Sequence, residues 1–235
     1  MANLARTATR WLWSAGLAGF LSFAALGASA APVSVVELFT SQGCSSCPPA
    51  HENFNALSDR PDLLALSFDV TYWDNLGWKD TFARTAFTAR QVAYARSLRH
   101  SGPFTPQVVV DGRSDVVGAK KGEIEQLVGR TRLQGGPSIE IKNDEVVLGA
   151  APAQGPAADV WLVRYDPRTI QVPIKAGENE GRTLPQKNVV RELVRLGAWS
   201  GHAMRLRTPK GEPNLVTAVL VQTPGAGPIL SAARS

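Results

Sequence analysis

Cys44-Ser45-Ser46-Cys47, entered from the apolar run Val33-Ser34-Val35-Val36-Glu37-Leu38-Phe39, is the stretch on which the reading of this 235-residue chain turns. These are the chain's only two cysteines. Two intervening residues let the sulfurs meet within the narrow geometry of a disulfide, at the entrance to a helix. Backbone N–H groups at a helix start favour a thiolate on the first sulfur. An outer Cys44 then acts as nucleophile, while an inner Cys47 resolves the mixed disulfide by displacing the partner. A plain structural disulfide and half of a metal site share this spacing. With no second cysteine pair, a closed four-cysteine zinc site within one chain is excluded. Pro48 and Pro49 remove two N–H donors from the first helical turn and so weaken the contribution of the helix terminus at Cys44.

Outward from the cysteines, the apolar pattern alternates between strand and helix. Val33 to Phe39 reads as a strand, Ala50 to Leu57 as a helix, and Leu63 to Val70 as a second strand of the buried parallel kind. Asp80 to Leu98 has helical spacing, with Phe82, Ala86, Phe87 and Leu98 near one face. Gln107 to Val110 is a third strand, Asp111-Gly112 a type I′ turn signal, Val116-Val117 the returning strand, and Gly122 to Arg132 a closing helix. Strand, CxxC helix, strand, helical insertion and a hairpin introduced by proline form the thioredoxin-like order. Thr105-Pro106 then takes the place of a cis-proline facing the dithiol, and these two residues are predicted to position a partner's backbone.

Gln134-Gly135-Gly136-Pro137 breaks the pattern. Beyond it, short segments with a period of two predict a β-rich, sandwich-like or open-barrel unit: Ser138 to Ile141, Glu145 to Leu148, Asp159 to Arg164, Ile170 to Ile174, Ala203 to Arg207 and Leu215 to Val221. Asn188 to Leu196 fits neither the helical nor the strand period cleanly. The predicted architecture is therefore α/β: a signal over residues 1–30, a thioredoxin-like domain over 31–134, and a β-rich domain over 135–235.

The signal rests on Arg6 and Arg10, the apolar stretch from Trp11 to Leu26, and Ala28-Ser29-Ala30 as a small-x-small cleavage site. A secreted or periplasmic location follows, where a dithiol tends toward the disulfide. Contact with a membrane is expected only if the signal segment is retained. Losing two of the 25 basic residues against 20 acidic ones leaves a net charge of about +3, too small to argue for nucleic acid. No phosphate-cradling glycine loop or Ser-His-Asp order supports nucleotide binding or hydrolysis.

Other side chains compete for roles around the dithiol. Tyr72, Trp73 and Asp74 follow a predicted buried strand and are read as a wall for a bound partner, or as core anchors with Asp74 capping the next helix. Glu37 is the candidate proton acceptor for Cys47. A soft-metal alternative, copper or zinc, joins His51 to Cys44 and Cys47. Asn179, Arg182, Asn188 and Arg191 read as a polar cluster of the second half, suited to clamping a carboxylate or bridging the domains. The favoured function is thiol-disulfide exchange with a protein thiol or disulfide through Cys44 and Cys47. The redox disulfide is then the only prosthetic feature, and a non-enzymatic module with a structural disulfide is a further alternative.

Taken together, Glu37-Leu-Phe-Thr-Ser-Gln-Gly-Cys-Ser-Ser-Cys-Pro-Pro-Ala50, Tyr72-Trp-Asp74, Leu76-Gly-Trp-Lys-Asp80, Thr105-Pro-Gln-Val-Val-Val-Asp-Gly112, Gly177-Glu-Asn-Glu-Gly-Arg-Thr-Leu184 and Asn188-Val-Val-Arg191 resemble a family of secreted thioredoxin-like bacterial proteins, domain of unknown function 1223. The resemblance implies thioredoxin-like architecture around the dithiol and assigns no substrate. Asp69 and Thr71 stand where the family usually has His and Asp, and His51 stands where an acidic residue is usual.

Overall fold

The computed structural model describes residues 1–2, 34–153 and 155–235. The signal expected over residues 1–30 falls, after the first two positions, outside the described residues. Among the described residues the first elements are β1 (Ser34–Thr40), α1 (Pro48–Ser58), β2 (Leu63–Asp69), α2 (Thr85–Ser97), β3 (Gln107–Val110), β4 (Ser114–Val117) and α3 (Lys121–Arg130). β1 and β2 run parallel, β3 pairs antiparallel with the other edge of β1, and β4 pairs antiparallel with β3. Every residue of β1 and β2 is buried, as continuous apolar runs covered on both faces require. Val36 and Leu38 face α1 and α3 through Ala50, Phe54 and Ile124, whereas Val35 and Phe39 face α2 through Phe87 and Tyr94.

Local chemistry sets several element ends. Proline is tolerated at the first helical positions, so α1 starts at Pro48, two residues before the predicted Ala50. α2 starts at Thr85, not at Asp80, because the Asp80 carboxylate accepts hydrogen bonds from the Phe82 and Ala83 N–H groups and closes a turn ahead of the helix. Asp111 and Gly112 both have positive φ, as a type I′ turn demands.

Nine further strands follow: β5 (Ile139–Ile141), β6 (Glu145–Leu148), β7 (Ala158–Asp166), β8 (Ile170–Pro173), β9 (Thr183–Gln186), β10 (Val189–Trp199), β11 (Met204–Arg207), β12 (Val216–Gln222) and β13 (Ile229–Arg234). The expected sandwich takes a different form. Its larger layer extends the first sheet, giving an eight-stranded order β13-β12-β7-β10-β2-β1-β3-β4. The joint is small: Val189 of β10 pairs with Ser67 of β2, beside the Ser67 N–H to Asn188 carbonyl bond. Asn188 also donates its side-chain amide to the Ala65 carbonyl at 2.9 Å. The three-stranded sheet β11-β6-β5 packs Val146 and Leu148 against Val160, Leu162, Val219 and Val221 of the large sheet. β8 and β9 form a separate hairpin. The ambiguous Asn188–Leu196 segment lies mostly in β10, whose register shifts at two places and so disrupts any clean period.

A buried polar knot ties α2 to the sheet. Glu37 on β1 pairs with Arg90 of α2 at 2.7 Å, and the Tyr94 hydroxyl donates to the same carboxylate. Arg90 also lies over the Phe68, Tyr94 and Trp161 rings at 5.1–5.8 Å from their centroids. Breaking such a pair from one side leaves a buried charge uncompensated, at a cost of about 3–5 kcal/mol. Arg90→Met is therefore expected to lower the unfolding free energy by about that amount, and Glu37→Leu/Arg90→Met to recover more than half of it. Urea denaturation checks this: a single variant within about 1 kcal/mol of wild type would sink the assignment.

Candidate functional site at the dithiol

Cys44 and Cys47 are disulfide-bonded, with Cα atoms 5.4 Å apart. Cys47 is the N-cap of α1, and its carbonyl accepts the Ala50 and His51 N–H groups. The intervening Ser45 and Ser46 are exposed, yet both cysteines are 0% exposed.

Across from them, the Thr105–Pro106 peptide is cis. The Thr105 hydroxyl lies 3.3 Å from Cys44 Sγ and accepts a 2.9 Å hydrogen bond from Trp73 Nε1. Ser46 Oγ is also 3.3 Å from Cys44 Sγ. Two hydroxyls thus face one sulfur, and the indole N–H leaves the Thr105 hydrogen free to point at it. Donors that bond the charged form favour a thiolate after reduction. Gly118 keeps this loop in place: its N–H binds the Pro106 carbonyl, and a Cβ added there would come within 2.9 Å of Ala50 Cβ and 3.2 Å of Pro106 Cβ.

Of the predicted wall, Trp73 reaches the dithiol through this relay. Tyr72 packs on Trp73 at 6.2 Å between ring centroids, and burial pushes its phenol up. Asp74 accepts the Asp80 N–H at 3.1 Å and serves the loop before α2. Glu37 is not brought to Cys47. It sits on the α2 face of β1, and its oxygens are taken by Arg90 and Tyr94, so the proton-acceptor expectation is corrected.

The three ligands of the metal alternative do not converge either. His51 is buried with Nε2 2.6 Å from Thr40 Oγ1, and burial pushes its imidazole down to about 4. Among the described residues, no group of three or more His, Cys, Asp or Glu side chains is arranged to hold a metal ion.

Sequence reasoning missed the support beneath the dithiol. The Gln42 N–H donates to Asp80 Oδ2 at 2.7 Å, and its side-chain amide donates to Thr81 Oγ1 and Gln186 Oε1 at 3.0 Å. Gln42 Oε1 accepts from Trp78 Nε1 at 3.0 Å. Gln186 Nε2 donates to both Asp69 oxygens at 2.8 Å. Burial raises both carboxyls, and for Asp69 the charge of Asp80 adds to the effect. The one advance signal was the position of Gln42 two residues before the first cysteine.

The predicted second-half cluster is dispersed. Asn179 donates 2.9 Å bonds to the Gln42 and Cys44 carbonyls, and Glu178 accepts the Ser45 N–H at 3.2 Å. Arg182 lines a cavity of about 390 Å³ beside Pro48 and His51 of α1. Asn188 holds the sheet joint, and Arg191 lies 4.7 Å from the Phe82 ring centroid.

Replacing Thr105 by Val removes the hydroxyl that faces Cys44. A hydrogen bond to a charged group is worth about 1.5–3 kcal/mol. In the reduced protein, alkylation of Cys44 by iodoacetamide at pH 7 is expected to slow about tenfold in Thr105→Val and to stay within a factor of about three in Thr105→Ser. Equal rates in Thr105→Val and wild type would remove the relay from the account.

One of the comparisons with known proteins gives a family, and none names an activity. Among solved structures, protein AGR_C_4864 from Agrobacterium tumefaciens is 32% identical, with a TM-score of 0.69, over 86% of this chain and 94% of that one. HBP35 of Porphyromonas gingivalis is 13% identical, with a TM-score of 0.56, over 87% of this chain and 74% of that one, a likeness of fold alone. A comparison with curated proteins finds no match. A family model described as "Protein of unknown function (DUF1223)" matches residues 35–222, from β1 through the last residue of β12, and the chain belongs to that family.

Proposed function

We propose that the protein is a secreted, thioredoxin-like thiol-disulfide exchange protein acting through Cys44 and Cys47. The observation that carries this reading is the CxxC disulfide at the start of α1 facing the cis Thr105–Pro106 peptide, with a hydroxyl 3.3 Å from Cys44 Sγ. The thioredoxin-like reading draws support from the order β1-α1-β2-α2-β3-β4-α3 and the sheet segment β2-β1-β3-β4, with α1 and α3 on one face and α2 on the other. Among the described residues, neither the N–H nor the C=O of Thr105 has a backbone partner, which suits pairing with a bound peptide.

In the oxidised protein, a partner thiolate attacks Cys44 Sγ. The Cys44–Cys47 bond breaks and Cys47 leaves as a thiolate. A second partner thiolate then attacks the partner sulfur of the mixed disulfide, releasing Cys44 as a thiolate. The partner gains a disulfide and loses two electrons, and the two protein thiolates take up two protons. Reduction of a partner disulfide is the reverse sequence, in which Cys44 attacks and Cys47 resolves.

A structural cross-link is the second reading, favoured by the complete burial of both cysteines. Magnitude argues against it as the reason for the pair. A bridge spanning two residues closes so short a loop that it restricts the unfolded chain by only about 2 kcal/mol.

Under the exchange reading, Cys47→Ser accumulates mixed disulfides with protein partners in extracts of the exported fraction, and Cys44→Ser accumulates none. Both are read as thiol-sensitive mobility shifts. Extracts in which Cys47→Ser captures nothing would count against exchange.

A further inference from the structure

The connection between β8 and β9, Ile174 to Arg182, closes on itself. Ile174 N–H binds the Arg182 carbonyl, Gly181 N–H binds the Ile174 carbonyl, and Glu180 N–H binds the Gly177 carbonyl, at 2.9–3.1 Å. Gly177 and Gly181 take φ values of 79° and 80°, which suit glycine. The loop thus keeps its own shape, and its hold on the dithiol segment is narrow. Asn179 donates to the Gln42 and Cys44 carbonyls, Glu178 accepts from the Ser45 N–H, and Gly177 backs against Gly77. Asn179 is fully buried, and its Oδ1 has no hydrogen-bond partner.

Attack on Cys44 needs a line of approach along the breaking S–S bond, and a cysteine with 0% exposure offers none. We propose that the Ile174–Arg182 loop is a lid that holds the dithiol closed and takes the place of a bound partner segment. This proposal rests on the exchange reading for its biological sense. The Gln42 and Cys44 carbonyls and the Ser45 N–H lie in two successive turns, closed by Cys44 N–H to the Ser41 carbonyl and Cys47 N–H to the Cys44 carbonyl, and are backbone groups that a polypeptide segment can bond once the lid lifts. The loop answers them with a side-chain amide and a carboxylate, so it stands in for that segment. Opening breaks three hydrogen bonds and exposes Asn179, while Ile174 stays packed with Phe82, Val172, Leu184 and Val189, and the hairpin stays anchored by the bonds from Asn55 to the Pro185 carbonyl and from Gln42 to Gln186. The partner that replaces the lid is therefore a polypeptide segment carrying the reacting sulfur, not a small thiol.

The test is the rate at which dithiothreitol reduces the Cys44–Cys47 bond in the purified protein, followed by alkylation shift. Asn179→Ala is expected to react at least about tenfold faster than wild type, and Glu178→Ala, changed at an exposed position, about two- to fivefold faster. Because Asn179→Ala also risks loosening the whole fold, each rate is measured across low urea. Lid opening predicts a shallow dependence, and reaction through global unfolding a steep one. Wild-type rates in both variants, or a urea dependence as steep as global unfolding, overturn the lid. In Asn179→Ala, a reduced unfolded polypeptide is expected to react at least about tenfold faster than glutathione at equal thiol concentration, and equal rates overturn the assignment of the partner. These rates do not depend on partner capture by Cys47→Ser, so failure of the lid and failure of exchange are separately visible.

Discussion

Gln42 bonds through every polar group it has, and the dithiol takes its position from those bonds. Its N–H reaches Asp80, its carbonyl accepts Asn179, its side-chain amide reaches Thr81 and Gln186, and its side-chain oxygen accepts Trp78. The partners come from the loop before α2, the β8–β9 hairpin and β9 itself. One side chain thus joins the first half of the chain to the second, immediately before Cys44. Each buried polar group left without a partner would cost about 1–3 kcal/mol, so the network holds as a set. The same network brings Asn179 to the Gln42 and Cys44 carbonyls, next to the sulfur that the Thr105 and Ser46 hydroxyls face.

Two buried polar systems divide the labour. On the α2 face, Glu37, Arg90, Tyr94 and Gln222 lock the helix to both halves of the sheet. At the strand ends, Asp69, Gln186, Gln42 and Asp80 support the dithiol loop. A carboxylate paired with arginine gives charge to structure. Asp69 and Asp80, whose affinity for protons burial raises, lie in the network that carries the Cys44–Cys47 loop.

Much of the first half was legible because its signals are local. The buried apolar runs of β1, β2 and β3 and the positive-φ pair Asp111-Gly112 follow from residue chemistry over a few positions, whereas the cis bond before Pro106 was expected only from the element order together with the upstream CxxC. The joint between the halves was not legible, since its strand pair and the side-chain bonds that support it link residues more than a hundred positions apart. β9 and β13 escaped for a compositional reason. Thr183-Leu-Pro-Gln186 contains a proline, and Ile229-Leu-Ser-Ala-Ala-Arg234 sets two adjacent apolar residues before three small ones, so neither carries a clear period of two. Glu37 shows the limit of position alone. Its place on the strand leading to the dithiol suggested a proton acceptor, whereas the alternation of β1 turns it to the opposite face, toward Arg90. Asn179 shows the converse, since a residue grouped by composition with Arg182 and Arg191 acts at the dithiol, which only the tertiary arrangement brings within reach.

The most direct test of exchange is the reduction potential of the Cys44–Cys47 pair in the purified protein, equilibrated in glutathione or dithiothreitol buffers and read by alkylation shift. The account predicts a midpoint in the catalytic range of roughly −120 to −270 mV. A midpoint below about −300 mV, or a bond that resists reduction in the folded protein, would contradict it and leave a structural cross-link.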